Sequence, residues 1–165
     1  MQVLFTSRPD MLMSRLILKL TDEPVSHVCI LHEGYVYQSN FSGINKTDLR
    51  SFQKDYTTII SARPLDSKFN DELVSSLIKR FPEFKGSFYD LPGLAYLGSR
   101  FFLREYFGIR IPKKNLWQIT GMYLCTEFVT DIIDQKQDSM ITPYQLLLKM
   151  RRSGRWVDSN GLFTS

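Results

Sequence analysis

Residues 25–39 read Val25-Ser26-His27-Val28-Cys29-Ile30-Leu31-His32-Glu33-Gly34-Tyr35-Val36-Tyr37-Gln38-Ser39. Two runs rich in β-branched and aromatic residues flank Glu33-Gly34, and a short turn between two such runs predicts a β-hairpin. Val25 to Leu31 forms one arm and Tyr35 to Ser39 the other. Side chains alternate along a strand, so His27 and His32, five positions apart, belong on opposite faces of the sheet. His32 sits beside the turn and is expected in solvent. His27 begins the apolar part of its arm, and folding back about Glu33-Gly34 brings Gln38 close to its level. The Gln38 side-chain oxygen is then placed to accept from one imidazole N–H and fix the tautomer of a proton-carrying histidine. Glu33 is the nearest carboxylate, but its turn position points it into water, and Asp90 and Glu127 are outside candidates for the same part. Both His27 and Gln38 also read as ordinary strand residues.

The rest of the chain sorts into strands first and helices later. Val3-Leu4-Phe5 reads as a first strand. Asp10 can cap a helix from Met11 to about Leu20, with Leu12, Leu16 and Leu20 on one face and Pro24 as its stop. Gly43 to Lys46 reads as a third strand, Asp48 to Lys54 as a helical turn, and Tyr56 to Arg63 as a further strand. Asp66 or Asn70 starts a helix ending near Phe81-Pro82. Asp90 to about Phe107 reads as helical with breaks at Gly93 and Gly98, Ile109 to Thr120 as a loop, and Met122 to Asp134 as a strong helix. Pro143 opens another helix reaching Met150, and Trp156-Val157 a last short strand. The expected class is α+β, an antiparallel sheet packed against helices.

Cys125 lies in Gly121-Met122-Tyr123-Leu124-Cys125-Thr126-Glu127-Phe128-Val129. Phe128, Val129, Ile132 and Ile133 follow it at the spacing of a helix with one buried face. Gly121 and the preceding loop put Cys125 in the first turn, among unpaired backbone N–H groups and near the positive end of the helix dipole. Such a site is expected to lower the thiol pKa and to offer donors to an oxyanion. A small buried apolar residue is the other reading of Cys125.

The 165 residues suit one domain, 1–165, with a core of its own. Hydrophobic residues make up 43% and charged residues 23%, which excludes a largely disordered chain. A net charge of +4 permits weak attraction to anionic surfaces without demanding it, and no nucleic-acid partner is expected. Two cysteines are too few for a disulfide scaffold, although a single bridge stays open. No basic n-region precedes an apolar run at the start, and the longest apolar stretch, Leu91 to Leu103, is broken by Pro92, Gly93, Gly98, Ser99 and Arg100. A cytosolic chain without a transmembrane segment is expected, with a virion or a non-classical exit as alternatives. One cysteine and one well-placed histidine leave a zinc site short of ligands, and no cofactor is expected.

Taken in order, Ser26-His27-Val28-Cys29-Ile30, Tyr35-Val36-Tyr37-Gln38 and Tyr123-Leu124-Cys125-Thr126-Glu127-Phe128-Val129 resemble the circularly permuted NlpC/P60 superfamily, which includes bacterial YiiX-like proteins and relatives of lecithin retinol acyltransferase. In that group the histidine strand precedes the cysteine helix, as His27 precedes Cys125. Gly43-Ile44 followed by Leu49 and Phe52, Gly86-Ser87-Phe88-Tyr89-Asp90, and Ile141-Thr142-Pro143 followed by Leu146 are similar to further segments of the family. The resemblance implies a papain-like core with the cysteine at a helix N-terminus, Cys125 as nucleophile, His27 as base, and an amide or ester as target. Gln38 takes the place where relatives carry a glutamate, histidine or other polar residue. That glutamine, and Thr126 where the family usually has serine, are departures. A peptide or peptidoglycan substrate, cleaved as by an amidase or endopeptidase, is the first expectation. An acyl lipid is the second, and a binding or structural module with a lapsed site is the non-enzymatic alternative. Tyr89, Tyr96, Phe101, Phe102, Tyr106 and Phe107 read as core or as an apolar groove, and the Arg110 to Gln118 loop with Trp117 as a lid or plain surface.

Overall fold

The computed structural model describes residues 1–84, 86–110, 121–134 and 141–159. The expected hairpin organises it. Strands β2 (His27–His32) and β3 (Tyr35–Asn40) pair antiparallel, with Ile30 opposite Tyr37, Leu31 opposite Val36 and His32 opposite Tyr35. Glu33 and Gly34 join them with φ of 49° and 77°, the left-handed pair whose twist matches that of the flanking strands. Strands β1 (Gln2–Ser7), β4 (Gly43–Asp48), β5 (Thr57–Pro64) and β8 (Trp156–Asp158) extend the sheet, in the order β4-β3-β2-β1-β5-β8 and antiparallel at every step. A separate parallel pair, β6 (Phe88–Tyr89) with β7 (Met122–Tyr123), lies outside it.

The helices are α1 (Leu12–Thr21), α2 (Leu49–Asp55), α3 (Ser67–Arg80), α4 (Leu91–Phe107), α5 (Cys125–Asp134) and α6 (Pro143–Arg152). Strand alternation divides the core between two faces of the sheet. Val3, Phe5, Val28 and Ile30 meet Leu77 of α3, Phe128, Val129 and Ile132 of α5, and Leu146 and Leu147 of α6. Leu4, Cys29 and Val36 point the other way onto Phe52 of α2. The chain is thus mixed α+β, an open antiparallel sheet packed with helices. Leu94 and Leu97 of α4 form a third cluster with Leu124, Met13 and Ile17.

Several local expectations change on folding. Asp66, not Asn70, caps α3, its carboxylate accepting from Phe69 N–H at 2.8 Å. Asp10 does not cap α1: Met11 is the cap residue and makes no side-chain bond, while Asp10 pairs with Arg8 at 3.4 Å. The Leu12/Leu16 face of α1 turns outward, with Leu12 75% and Leu16 43% exposed, because Met13 and Ile17 pack towards α4 and Ser14 is buried against Ser26. Helix α4 runs through Gly93 and Gly98 without a break. Met122 and Tyr123 are strand rather than helix, drawn out by pairing with Phe88 and Tyr89.

Gly43 locks the β4 end of the sheet to the segment leading into Tyr89. Its φ is 87°, Ile44 N–H donates to the Ser87 carbonyl at 3.3 Å, and a Cβ on Gly43 would collide with that same oxygen. Gly43→Ala is expected to cost roughly 1–3 kcal/mol of stability. Urea unfolding reads this as a lower midpoint at unchanged slope, and an unchanged midpoint would show that the two segments are not pinned together.

Candidate active site

Three ties position the start of α5. The Tyr123 carbonyl accepts from Ser39 Oγ at 2.7 Å and from Asp90 N–H at 3.3 Å, and Leu124 N–H donates to Glu127 Oε2 at 2.8 Å. With Phe128, Val129 and Ile132 buried against the sheet, these ties bring Cys125, the first residue of α5, to the end of β2. The Cys125 sulfur receives the backbone N–H dipoles of Val28, Thr126 and Cys125 itself. Val28 is the residue that follows His27 on β2. The β2–β3 ladder starts only at Ile30, so His27, Val28 and Cys29 lie beyond its paired part.

His27 opens β2 and is 7% exposed. Its Nε2 lies 3.0 Å from Gln38 Oε1, across the hairpin and diagonal to it. An amide oxygen only accepts, so Nε2 carries the hydrogen and Nδ1 keeps its lone pair. Gln38 is itself oriented: its Nε2 donates to Asn45 Oδ1 at 3.4 Å, and Asn45 Nδ2 donates to Asn40 Oδ1 at 2.8 Å and to the Gly43 carbonyl at 3.0 Å. The Tyr56 ring lies beside the imidazole, centroids 5.1 Å apart. A cleft of about 30 Å³ opens next to His27, bounded among others by Arg8, Ser26, Asn40, Tyr56 and Tyr89. Tyr89 faces this cleft, and burial above all pushes its phenol well above its usual range.

The electrostatics overturn one expectation. Burial, with Cys125 only 6% exposed, outweighs the helix-start N–H groups and pushes the thiol up to about 11 rather than down. Burial likewise lowers His27 to about 4, against the opposing effect of its Gln38 bond. The two groups rest as neutral thiol and neutral imidazole. Among the described residues no hydrogen bond joins them. His27 shares with Cys29 the α2 face of the sheet, whereas Cys125 belongs to the opposite core.

The other candidates fall elsewhere. Glu127 bonds to its own helix start, and Asp90 caps α4 by accepting from Gly93 N–H at 2.7 Å. Glu33 is solvent-exposed, whereas His32 is partly buried, 3.8 Å from Glu33. Cys29 and Cys125 are both free thiols. Residues 111–120, with Trp117 and most of the expected lid, lie outside the described residues. Asn45 and Tyr56 carry geometry that the sequence reading leaves unassigned. Asn45 stands directly opposite Gln38 in the β3–β4 register, and alternation carried through Gly43 to Lys46 would have found it. No helix among the described residues is long and apolar enough to cross a membrane. Comparison with protein-family models finds no matching model, and comparison with curated proteins finds no matching relative.

Glu127 is fully buried with Oε1 unpartnered, and burial, joined by the charge of Asp90, raises its carboxyl from 4.5 to about 7 against the Leu124 N–H. Between those two values the folded chain holds a proton that the unfolded chain has released, so this group makes stability fall as pH rises through the window. Lowered His27 acts in the opposite sense, which makes the difference between parent and variant the useful quantity. Glu127→Gln is expected to gain about 2–3 kcal/mol relative to the parent between pH 4.5 and pH 8. Urea melts at the two pH values measure it, and parallel pH dependences would contradict a buried, protonated carboxyl.

Proposed function

We propose that this chain is a cysteine-dependent hydrolase or acyltransferase of permuted papain-like type, acting on an amide or ester carbonyl through an acyl-thioester on Cys125. His27 carries the proton and Gln38 orients His27. The observation that supports this reading is the buried Nε2···Oε1 bond at 3.0 Å, which leaves Nδ1 as the free base on the residue next to the amide that meets the Cys125 sulfur.

Because both groups rest neutral, the proton leaves sulfur as the carbonyl arrives. The S–H hydrogen passes to His27 Nδ1, the sulfur bonds to the carbonyl carbon, and backbone N–H groups at the start of α5 receive the oxyanion. His27 returns the proton to the leaving nitrogen or oxygen as its bond to the acyl carbon breaks. Water or an acceptor alcohol or amine then gives a proton to His27 and attacks the thioester, and Cys125 recovers its hydrogen. A peptidoglycan stem-peptide amide and an acyl-lipid ester both suit this chemistry. A binding module without turnover is the second reading, favoured by the thiol at about 11 and by the missing Cys125–His27 bond.

Incubation with p-nitrophenyl acetate followed by peptide mass spectrometry tests the proposal. An acetyl adduct is expected on Cys125 and not on Cys29. It should vanish in Cys125→Ser and form about 10²–10⁴ times more slowly in His27→Ala. Absence of the adduct, or equal labelling of both cysteines regardless of His27, would favour the binding module.

A further inference from the structure

Cys125 and Glu127 share the first turn of α5, and Leu124 stands just before it. The Glu127 side chain reaches back to that residue, Oε2 accepting from Leu124 N–H at 2.8 Å, which is the glutamate half of a capping box. A glutamate is almost never fully buried unless its charge is paired. Glu127 is fully buried, and its Oε1 has no hydrogen-bond partner. Asp90, also fully buried, adds a second negative charge that acts on it. A buried carboxylate oxygen that no donor meets, close to a second acid, is where a proton settles.

The surroundings supply no counter-charge. Tyr89 of β6 and Tyr123 of β7 feel the Glu127 charge, and burial raises both phenols. Strands β2 and β3 and helix α6 meet α5 through apolar core side chains and Tyr37. Arg80 of α3 is committed to Asp131, its Nη2 donating to Oδ2 at 2.8 Å. Within its own turn the Glu127 charge acts on Cys125, where it raises the thiol, whereas His27 at the end of β2 responds to burial and to Gln38.

We propose that Glu127 is a positioning residue that sets how readily Cys125 reacts: with its proton in place it leaves the start of α5 free to take up negative charge, and once ionised it opposes that charge. This regulation rests on the thiol acyl chemistry above. Negative charge develops on the sulfur and then on the oxyanion, both at the helix start that Glu127 shares. Oε2 accepts from Leu124 N–H in either form, so losing the proton changes the charge and not the anchor. An ordinary thiol reacts faster as pH rises. Cys125 instead slows as pH rises through about 7, where Glu127 ionises.

Initial rates of Cys125 acetylation by p-nitrophenyl acetate, followed by mass spectrometry from pH 5.5 to pH 9, test this. In the parent chain the rate is expected to fall about five- to thirtyfold across that range. Glu127→Gln keeps an acceptor for Leu124 N–H and should remove the fall. Asp90→Asn keeps a cap for α4 and should move the fall to lower pH, because Glu127 then ionises earlier. Carbon NMR of the Glu127 carboxyl in the parent reads the proton directly, with titration expected near pH 7. A parent rate that holds or rises to pH 9, the same fall in Glu127→Gln, or a carboxyl already ionised at pH 5.5 would overturn the role of Glu127 and leave the acyl chemistry standing. No Cys125 adduct at any pH in parent or variant would overturn the acyl chemistry and this regulation with it.

Discussion

The bond from His27 Nε2 to Gln38 Oε1 joins the two strands of the central hairpin through their side chains, and the account of the site depends on it. Without it the imidazole is a buried polar ring with no partner to choose its tautomer, and nothing directs Nδ1 to remain bare. The bond in turn depends on an amide chain, Gln38 to Asn45 to Asn40, that holds the glutamine oxygen towards His27. These groups are neutral, so the arrangement fixes direction without contributing the charge stabilisation that a carboxylate would supply to an imidazolium.

Burial sets the resting state. The start of α5 aims N–H groups at the Cys125 sulfur, but removing the thiolate from water costs more than those dipoles return, and the same holds for the imidazolium of His27. On the proposed reading, a neutral pair needs an incoming carbonyl before the proton moves from sulfur to imidazole. Tyr89 and Met13 both line the cleft beside His27.

Much of the frame was legible in the sequence because short-range rules govern it. A two-residue turn between alternating runs sets the register of β2 and β3, and that register carried on sets Gln38 opposite Cys29, diagonal to His27 on the same face. The apolar spacing after Cys125 likewise marks the buried face of α5. What was not legible depends on tertiary neighbours. Met122 and Tyr123 continue a helical pattern yet pair with β6, so α5 starts three residues later than the periodicity suggests. Helix α1 is apolar on two faces, and only its packing against α4 decides that Met13 and Ile17 turn inward while Leu12 and Leu16 face out. The thiol pKa went the wrong way for a similar reason: a helix start is visible in a sequence, whereas the depth at which it is buried is not.

Nitrogen chemical shifts of the His27 imidazole, followed by NMR from pH 7 downward, test the central claim most directly. The account predicts a neutral ring with hydrogen on Nε2 and bare Nδ1 throughout the range above about pH 5, charging only towards pH 4. A ring protonated on Nδ1, or one already charged near neutral pH, would mean that Gln38 does not orient His27 as a base for Cys125.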